Sequence, residues 1–202
     1  MFRKKEIMSE KPKKEDRRVR RTKKLLVQAL TELLQDKQIN EITVKELTEL
    51  ADINRGTFYL YYRDIYDMLE KVEDEMFREF DDITSLHEHE DVKHHMKPIL
   101  LDLLRFIEEN QAMCRVLLSP NGDMKFLQRL HDVILEKSRH IFIGKDGLVN
   151  EENFEYRCNF VVFGCAGLIR LWVNRHCKES AVHMAELADA MIRQGILAET
   201  IH

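Results

Sequence analysis

The most chemically informative stretch of the chain is NRGTFYLYYRD, residues 54–64, which gathers guanidinium groups and phenols near the N-terminus. Four of the five tyrosines of the chain fall within eight residues, three of them in this stretch and the fourth, Tyr66, just after it. Arg55 can bind a phosphate, or a guanine through two hydrogen bonds. The hydroxyls of Thr57, Tyr59 and Tyr61 can donate to phosphate oxygens. A phenol reaches far with few rotatable bonds, so these residue types indicate a polyanionic partner.

The other members of this stretch divide between an outer and an inner face. Gly56 leaves room for a partner backbone to come close, and Arg63 can hold a further phosphate. Leu60 can either meet a thymine methyl or simply be tolerated on the helix surface. Phe58 and Tyr62 lie four residues apart, one helical turn, and are predicted to face the core. The pattern therefore predicts a helix with one exposed face that carries the basic and hydroxyl groups and one face that packs in the core.

Two short helices are predicted to position these side chains. TVKE (43–46) has the pattern of a capping box, in which Thr43 accepts from a backbone N–H and Glu46 bonds back. The first helix ends at ADIN (51–54), and Asn54 caps the second helix. Two short helices joined by a turn of three to four residues form a helix-turn-helix, which spans about residues 43–62. A second helix of this kind inserts its N-terminal residues into the major groove of DNA.

Charge is distributed unevenly along the chain. Residues 1–63 carry a net charge of +6, whereas residues 64–202 carry −10, within a total of −4. The first predicted helix begins at Asp16 and places six basic residues in its first turns, which is unfavourable for the helix dipole. This asymmetry indicates a polyanion that binds only the front of the chain. Residues 1–15 lack periodicity and are predicted to be a flexible basic arm.

The segment TVKELTELADINRGTFYLYYRDIYDML, residues 43–69, resembles the DNA-binding segment of the TetR family of transcriptional regulators. RGTFY (55–59) is its most recognisable run, and the similarity covers roughly residues 17–77. The tail GLIRLWVNRHCKESAVHMAEL (167–187) is similar to the C-terminal domain of a TetR subgroup. There, a G-L-x-x-x-W stretch precedes a final helix that begins near E-S.

The resemblance implies DNA contacts by Arg55, Thr57, Tyr59 and Tyr61 and a phosphate contact by Thr43. Asp52 stands where the family usually has a turn glycine, and Asp tolerates the left-handed conformation better than most residues. Ile65 stands where the family often has a phosphate-binding lysine, for which Arg63 can substitute. The full predicted DNA-binding set is Thr43, Lys45, Arg55, Gly56, Thr57, Tyr59, Leu60, Tyr61 and Arg63.

The predicted fold is all-α, because Gly and Pro are scarce and helix-favouring residues abundant. A three-helix head at residues 16–63 precedes a larger helical bundle at 64–202, which is predicted to bind a ligand and to dimerise. Its first helix opens at Asp64, a good N-cap. Further helical patterns are predicted at about 96–110, 111–118, 123–143, 151–177 and 181–197.

Residues 151–177 carry two apolar stripes, so this helix is predicted to be buried on two sides. One side can be its own subunit and the other a second copy of the chain. A central core helix in a monomer is the alternative. The predicted dimer interface consists of Gly164, Gly167, Leu168, Trp172, Leu187 and Met191.

A ligand site is harder to predict than the DNA-binding site. Phe163 and Arg170 are the candidates for contact with a small-molecule effector, although such an arginine more often pairs with a carboxylate or snorkels outward. The resemblance implies that ligand binding re-spaces two DNA-binding heads and releases a palindromic operator. The alternative is a regulator or activator whose body senses a partner protein. Operator, effector and sign of regulation stay open.

The sequence contains no clear motif for a metal site, a bound cofactor or an enzyme active site. The histidine-rich segment HEHEDVKHH (87–95) contains ordinary metal ligands but fits no strict spacing, so a solvated connector is favoured over a metal site. No phosphate loop, H-E-x-x-H or G-x-S-x-G occurs. We therefore expect no enzyme, no cofactor and no metal.

The four cysteines form no C-x-x-C pair, which favours reduced thiols and a cytoplasmic protein. No signal peptide is evident, and the longest apolar run, residues 160–173, is shorter than the roughly 20 residues that cross a bilayer. The expected partners are a double-stranded DNA operator, a second copy of the chain and a small-molecule effector, with no membrane.

Overall fold

A computed structural model describes residues 17–87, 96–118, 124–142 and 151–196. This part of the chain contains nine α-helices and a 3-10 turn at Ile39–Glu41, which confirms the all-α prediction. The helices are α1 (Arg17–Asp36), α2 (Val44–Leu50), α3 (Arg55–Tyr59), α4 (Ile65–Leu86), α5 (Lys97–Glu109), α6 (Gln111–Leu117), α7 (Met124–Phe142), α8 (Glu151–Asn174) and α9 (Ala181–Ile196). The predicted arm at residues 1–15 lies outside the described residues.

The N-terminal head is built on the apolar stripe of α1. Leu26 and Leu30 are fully buried and pack with Leu47 of α2 and Phe58 of α3. Their three- and four-residue spacing places them on one helical face. The opposite face leaves Arg17, Arg18, Arg20, Arg21 and Lys24 exposed. The helix therefore anchors the head through one side and presents positive charge on the other.

The start of α2 follows the predicted capping pattern only in part. Thr43 Oγ1 accepts a hydrogen bond from the backbone N–H of Glu46 at 3.2 Å, as expected of an N-cap. The Glu46 carboxylate, however, bonds the Lys37 ammonium and not the Thr43 backbone. The reciprocal half of the predicted capping box is therefore wrong. An ion pair between the end of α1 and α2 takes its place.

The turn between α2 and α3 has the left-handed residue that the sequence predicts. Asp52 has φ of 54°. The Ile53 N–H then donates to the Thr48 carbonyl at 2.9 Å, which closes the end of α2. Asn54 Oδ1 accepts from the Gly56 N–H at 2.7 Å and starts α3. The left-handed turn residue and the Asn54 cap together set the orientation of α3 relative to α2.

Helix α4 belongs to both the head and the body. Asp64 caps it by accepting from the Asp67 N–H at 2.8 Å, as predicted. Ile65 and Met68 pack in the head core, whereas Phe77 packs in the body with α6 and α7. The head core thus extends past the predicted boundary between residues 63 and 64. Helix α4 is therefore a continuous link between the core of the head and the core of the body.

Helices α5 to α9 form the body. Phe154, Cys158 and Trp172 of α8 are buried against the rest of the subunit. Trp172 Nε1–H donates to the Glu179 carbonyl at 2.9 Å, across the turn that leads into α9. His176 and Cys177 in that turn have φ of 56° and 50°. These left-handed residues end α8 at Asn174, three residues before the predicted end.

Within α8, the 22-residue segment Asn153–Asn174 is long and apolar enough to cross a membrane by length and composition. It is the one such segment in the described part of the chain. This segment is longer than the apolar run at residues 160–173 because it includes the preceding turns of α8. A core helix passes the same test, so a single segment is weak evidence of a membrane span.

Candidate nucleic-acid interface and body cavity

The exposed face of α3 brings together most of the residues predicted to contact DNA. Arg55 and Gly56 are exposed at its N-terminus, Tyr59 is 57% exposed, and Leu60 is 76% exposed. Thr57 is half-buried. Side chains that can bond bases and phosphates are thus gathered on one exposed face. This face is therefore a candidate surface for the major groove.

Two aromatic rings beneath α3 hold that face in position. Phe58 is fully buried, and its ring lies 5.5 Å from the ring of Tyr62 and 5.4 Å from the ring of Tyr59. The predicted inward orientation of Phe58 and Tyr62 is confirmed. Because α3 is only five residues long, its own backbone hydrogen bonds cannot stabilise it alone. Burial of Phe58 in the head core supplies the additional stabilisation that this short helix requires.

Tyr61 lies between the basic face of α1 and the start of α4. The Lys23 ammonium is 6.0 Å from the centre of the Tyr61 ring. The Tyr61 carbonyl accepts from the Lys71 ammonium at 2.9 Å. Its ring is half-buried and packs on the head core. A phenol held in this way can bond a phosphate with little further loss of freedom.

Arg63 is oriented by a buried carboxylate that the sequence analysis missed. Asp67 accepts from the Arg63 backbone N–H at 2.9 Å, from Arg63 Nε at 3.0 Å and from Lys71 Nζ at 2.9 Å. These bonds, the backbone one foremost, lower the pKa of Asp67 to about 2. The carboxylate in turn raises the pKa of the Arg63 guanidinium. The spacing 63-67-71 is a visible i, i+4 signal.

The remaining predicted contacts lie at the N-termini of α2 and α3. Thr43 and Lys45 are exposed, and the Lys45 ammonium is 3.9 Å from Glu49 Oε1, so it is only loosely held. A Cβ added to Gly56 would lie 3.2 Å from Asn54 Oδ1. Glycine therefore permits the tight cap of α3. All nine predicted DNA-binding residues lie in the head, and their contacts with DNA stay predictions.

The body contains a cavity of about 800 Å³. Helices α4 to α9 line it, mainly with aliphatic, aromatic and thiol side chains. Burial raises the pKa of Cys114 to about 12 and that of Cys165 to about 11, so these lining thiols stay neutral. The polar lining residues are Thr84, Ser85, His87, Lys137 and Ser138. A cavity of this size and composition is typical of small-molecule sites.

The predicted ligand contacts do not line this cavity. Phe163 is 46% exposed and stacks on His131, with ring centres 5.7 Å apart. Arg170 is exposed on α8. Both side chains lie on the outer side of the helix, because α8 turns its Cys158 and Cys165 stripe toward the cavity. The candidate ligand site therefore moves to the inner face of α8, and these two residues are excluded from its lining.

The predicted dimer interface needs two corrections. Trp172 is 1% exposed, so its side chain is not available to a second subunit, and Leu168 is half-buried because it packs against Trp172 in the body core. The exposed face of α8 instead carries Tyr156, Phe160 and Leu171. Gly164 and Gly167 are exposed on the same helix, and a Cβ added at either position meets nothing within 4 Å. On α9, Met191 is exposed and Leu187 is half-buried.

The histidine segment is described only at its first residue. His87 is buried, and its Nε2 lies 3.0 Å from Asp102 Oδ2. His89, His94 and His95 lie outside the described residues. Among the residues that are described, no group of three or more potential ligands could hold a metal.

An exposed helix-turn-helix on a helical body with an apolar cavity defines the class of one-component helix-turn-helix regulators. A family model, TetR_C_8, described as a transcriptional regulator C-terminal region, matches residues 94–194, half of the chain. The chain therefore belongs to the TetR family of transcriptional regulators.

Two curated relatives are regulators of the helix-turn-helix type. The uncharacterized HTH-type transcriptional regulator YxbF of Bacillus subtilis (strain 168) is 29% identical over 118 residues, which cover 54% of this chain and 30% of YxbF. The dhaKLM operon transcriptional activator DhaS of Lactococcus lactis subsp. lactis (strain IL1403) is 29% identical over 90 residues, which cover 45% of each protein. The chain thus spans less than half the length of either relative.

Solved structures share the fold at low identity. The fatty acid degradation regulator FadR from Bacillus halodurans has a TM-score of 0.62 and 16% identity, covering 94% of this chain and 100% of that one. FadR from Bacillus subtilis in complex with stearoyl-CoA has a TM-score of 0.57 and 16% identity, covering 86% and 98%. These likenesses show an all-helical fold of the TetR type.

Proposed function

We propose that this TetR-type regulator binds a palindromic DNA operator as a homodimer and is a repressor released by a small ligand that binds in the body cavity. The observation that carries the DNA-binding part is the exposed face of α3, with Arg55 and Tyr59 outward and Phe58 fully buried beneath them. The side chains that can bond bases and phosphates are thus on a pre-formed surface. Such pre-organisation lowers the entropic cost of binding.

Each predicted contact has a role in this proposal. Arg55 and Tyr59 reach the major groove, and Leu60 covers an apolar base edge such as a thymine methyl. Arg63, aimed by Asp67, binds a phosphate at the far end of α3. Thr43 and Lys45 of α2, together with Gly56, Thr57 and Tyr61, complete the phosphate contacts. The basic face of α1 adds affinity that falls with salt.

A second copy of the chain is the proposed occupant of the outer face of α8. Phe160 is 73% exposed and Tyr156 is 78% exposed, which is unusual for two aromatic residues on one helix of a soluble domain. Gly164 and Gly167 between them and Leu171 let a partner helix come close. Met191 and Val182 on α9 are also exposed and extend the apolar face. A two-fold dimer then presents two heads to half-sites about 34–36 Å apart, or multiples of that distance.

The cavity supports an effector-binding body. A cavity lined mainly by apolar side chains favours a small molecule over a partner protein, for which a filled core would suffice. Helix α4 lines the cavity at its far end and packs in the head at its near end. A ligand that displaces α4 would change the spacing of the two heads and weaken operator binding.

The alternative is an activator whose body senses a partner protein. One relative, DhaS, carries the name of an activator. The exposed apolar face of α8 would then bind that partner. The two alternatives differ in what the body needs: a pre-formed apolar cavity favours the small molecule, whereas a filled core with an exposed apolar patch would favour the partner protein.

The test of the proposed function is selection of bound duplexes from a random pool at near-physiological salt. The native chain should enrich a palindromic site, whereas Arg55→Ala combined with Tyr59→Ala should not. Arg105→Ala, which removes an exposed arginine from α5 of the body, is the matched control and should enrich the same site as the native chain. Equal, weak binding by all three proteins without enrichment would contradict sequence-specific recognition by α3.

A further inference from the structure

The polar lining residues of the cavity lie together, where the last turns of α4 approach α7. Thr84 and Ser85 belong to α4, His87 follows its last residue, and Lys137 and Ser138 belong to α7. The ion pair between the Lys137 ammonium and Asp81 of α4, at 2.6 Å, shows that these parts of α4 and α7 are neighbours. The rest of the described lining is apolar. The cavity therefore has a long apolar part and one polar end.

Lys137 supplies a cationic side chain at that end. Its side chain is 35% exposed, so its stem lies against the cavity while its ammonium reaches the surface pair with Asp81. Asp81 is 62% exposed and does not line the cavity. The other carboxylate near this end, Asp102, is bonded to His87, and it is the histidine that lines the cavity.

An exposed ion pair of this kind contributes little to stability, because both charges remain well hydrated and long side chains lose freedom. Another anion can therefore replace Asp81 on Lys137 at small cost. An anion attached to a hydrocarbon chain gains in addition from burial of that chain in the apolar part of the cavity. The charge and the shape of the site thus favour the same class of molecule.

We propose that the cavity binds a single-chain amphiphile, a long hydrocarbon chain with an anionic end, and that Lys137 binds this end in exchange for Asp81. The hydrocarbon chain of the ligand lies among the apolar side chains of α5 to α9. The Ser85 hydroxyl lies at the polar end of the cavity and can donate a hydrogen bond to the anionic group. This inference rests on the proposed function, because it names the ligand class for the effector cavity of the regulator.

The exchange couples the cavity to the head. Asp81 tethers α4 to α7 near the end of the helix, and Asp74 makes a second tether to Arg129 of α7 at 2.6 Å two turns earlier. A ligand whose anionic group binds Lys137 breaks the ion pair between Lys137 and Asp81. Because the ligand and Asp81 compete for one ammonium, each weakens the binding of the other, and the coupling is reciprocal.

Calorimetric titration of the full chain, without DNA, tests the site. The probes are palmitate, palmitoyl-CoA and the neutral hexadecanol. We expect the native chain to prefer the better of the two anionic probes over hexadecanol by about tenfold, the size of one charge-assisted contact. Lys137→Met should abolish that preference and retain hexadecanol binding. Lys178→Met, at an exposed lysine outside the cavity, is the matched control and should keep the preference.

The two anionic probes distinguish a free carboxylate from the phosphates of a thioester carrier as the source of the charge. Equal affinity for all three probes, no binding of any of them, or a preference that survives Lys137→Met would each overturn the proposal. Retained hexadecanol binding shows that the variant is folded and its cavity intact.

Asp81→Asn gives a second, independent test. With the competing carboxylate gone, the anionic probe should bind severalfold more tightly, while its effect on operator affinity should shrink. Unchanged probe affinity in Asp81→Asn would contradict the exchange. Operator binding by the native chain without any probe is measured separately, so a failure of DNA recognition is distinguished from a failure of the ligand site.

Discussion

At the scale of single residues, the adjacent aromatic residues Phe58 and Tyr59 of α3 face opposite sides of the helix. Phe58 is fully buried in the head core, whereas Tyr59 is more than half exposed. A side chain that stabilises the head can thus be separated from one that is available to DNA, although both are aromatic and adjacent.

Phe58→Ala and Tyr59→Phe should therefore give opposite results. Loss of a buried phenyl ring should lower the free energy of unfolding by about 3–5 kcal/mol, measured by denaturant titration. Tyr59→Phe removes only an exposed hydroxyl and should leave that free energy within about 0.5 kcal/mol. It should weaken operator binding by roughly fivefold, the effect of one lost hydrogen bond. Equal operator affinity for Tyr59→Phe and the native chain would show that the hydroxyl makes no contact.

Asp67 should give the head a characteristic dependence on acid. Its pKa is about 2 in the folded protein, against about 3.9 for an aspartate in an unfolded chain. A lowered folded pKa adds stability that is present above the unfolded pKa and is lost as the pH falls toward the folded pKa. The difference in melting temperature between the native chain and Asp67→Asn should be constant above about pH 5 and should shrink between about pH 4 and pH 2.

The measurement is thermal unfolding by circular dichroism across that pH range. Asp82→Asn changes an exposed carboxylate on the same helix and is the matched control. A melting-temperature difference for Asp67→Asn that does not vary with pH would show that the Arg63 and Lys71 contacts are not maintained in solution.

At the scale of elements, the turn between α2 and α3 sets the orientation of the recognition surface. Asp52 has φ of 54°, a conformation that costs a β-branched residue about 1–2 kcal/mol. Asp52→Val should therefore lower the melting temperature of the head. Asp52→Gly should leave it unchanged or raise it slightly, because glycine adopts this conformation freely. Equal melting temperatures for the two variants would indicate a different turn in solution.

Helix existence and boundaries are largely predictable from the sequence. The caps at Thr43, Asn54 and Asp64 and the periodic apolar stripes are local signals, and α5, α6, α7 and α9 begin and end within a residue of the predicted limits. The end of α8 was missed because it depends on two left-handed residues without glycine, His176 and Cys177. No local pattern marks such residues.

Features that depend on distant residues were not predictable in this way. Trp172 follows a stripe that suits an interface, yet it is buried because the chain turns back at Glu179 and α9 covers it. Whether apolar residues fill a core or surround a cavity depends on how six helices pack. The pair of Asp81 and Lys137 is 56 positions apart in sequence, so its formation follows from the same packing. The Asp67 network, in contrast, was detectable from its spacing.

At the scale of the whole molecule, α8 connects the two proposed activities of the body. Its inner face lines the cavity through Cys158 and Cys165, and its outer face presents Phe160 and Leu171 to the proposed partner subunit. Helix α4 connects the same cavity to the head. A ligand in this cavity would therefore contact both the helix proposed to join the two subunits and the helix that links the cavity to the DNA-binding head.

Phe160→Glu tests whether the outer face of α8 holds the dimer together. In a two-fold interface the substitution acts twice, and each copy loses the burial of an aromatic side chain, about 1.5–3 kcal/mol, and places a carboxylate in an apolar contact. We expect equilibrium sedimentation to show a monomer. The melting temperature at high dilution should stay close to that of the native chain, because Phe160 contributes nothing to the core of its own subunit.

Trp172→Ala is the matched contrast on the same helix. It should lower the free energy of unfolding by about 3–5 kcal/mol through loss of the buried ring, but it should leave the folded fraction dimeric. If Phe160→Glu stays dimeric, the outer face of α8 is not the contact between subunits, and the two heads must be related through another surface. If it becomes monomeric, operator affinity should fall as well, since each head then binds a half-site alone and the gain from linking two binding events is lost.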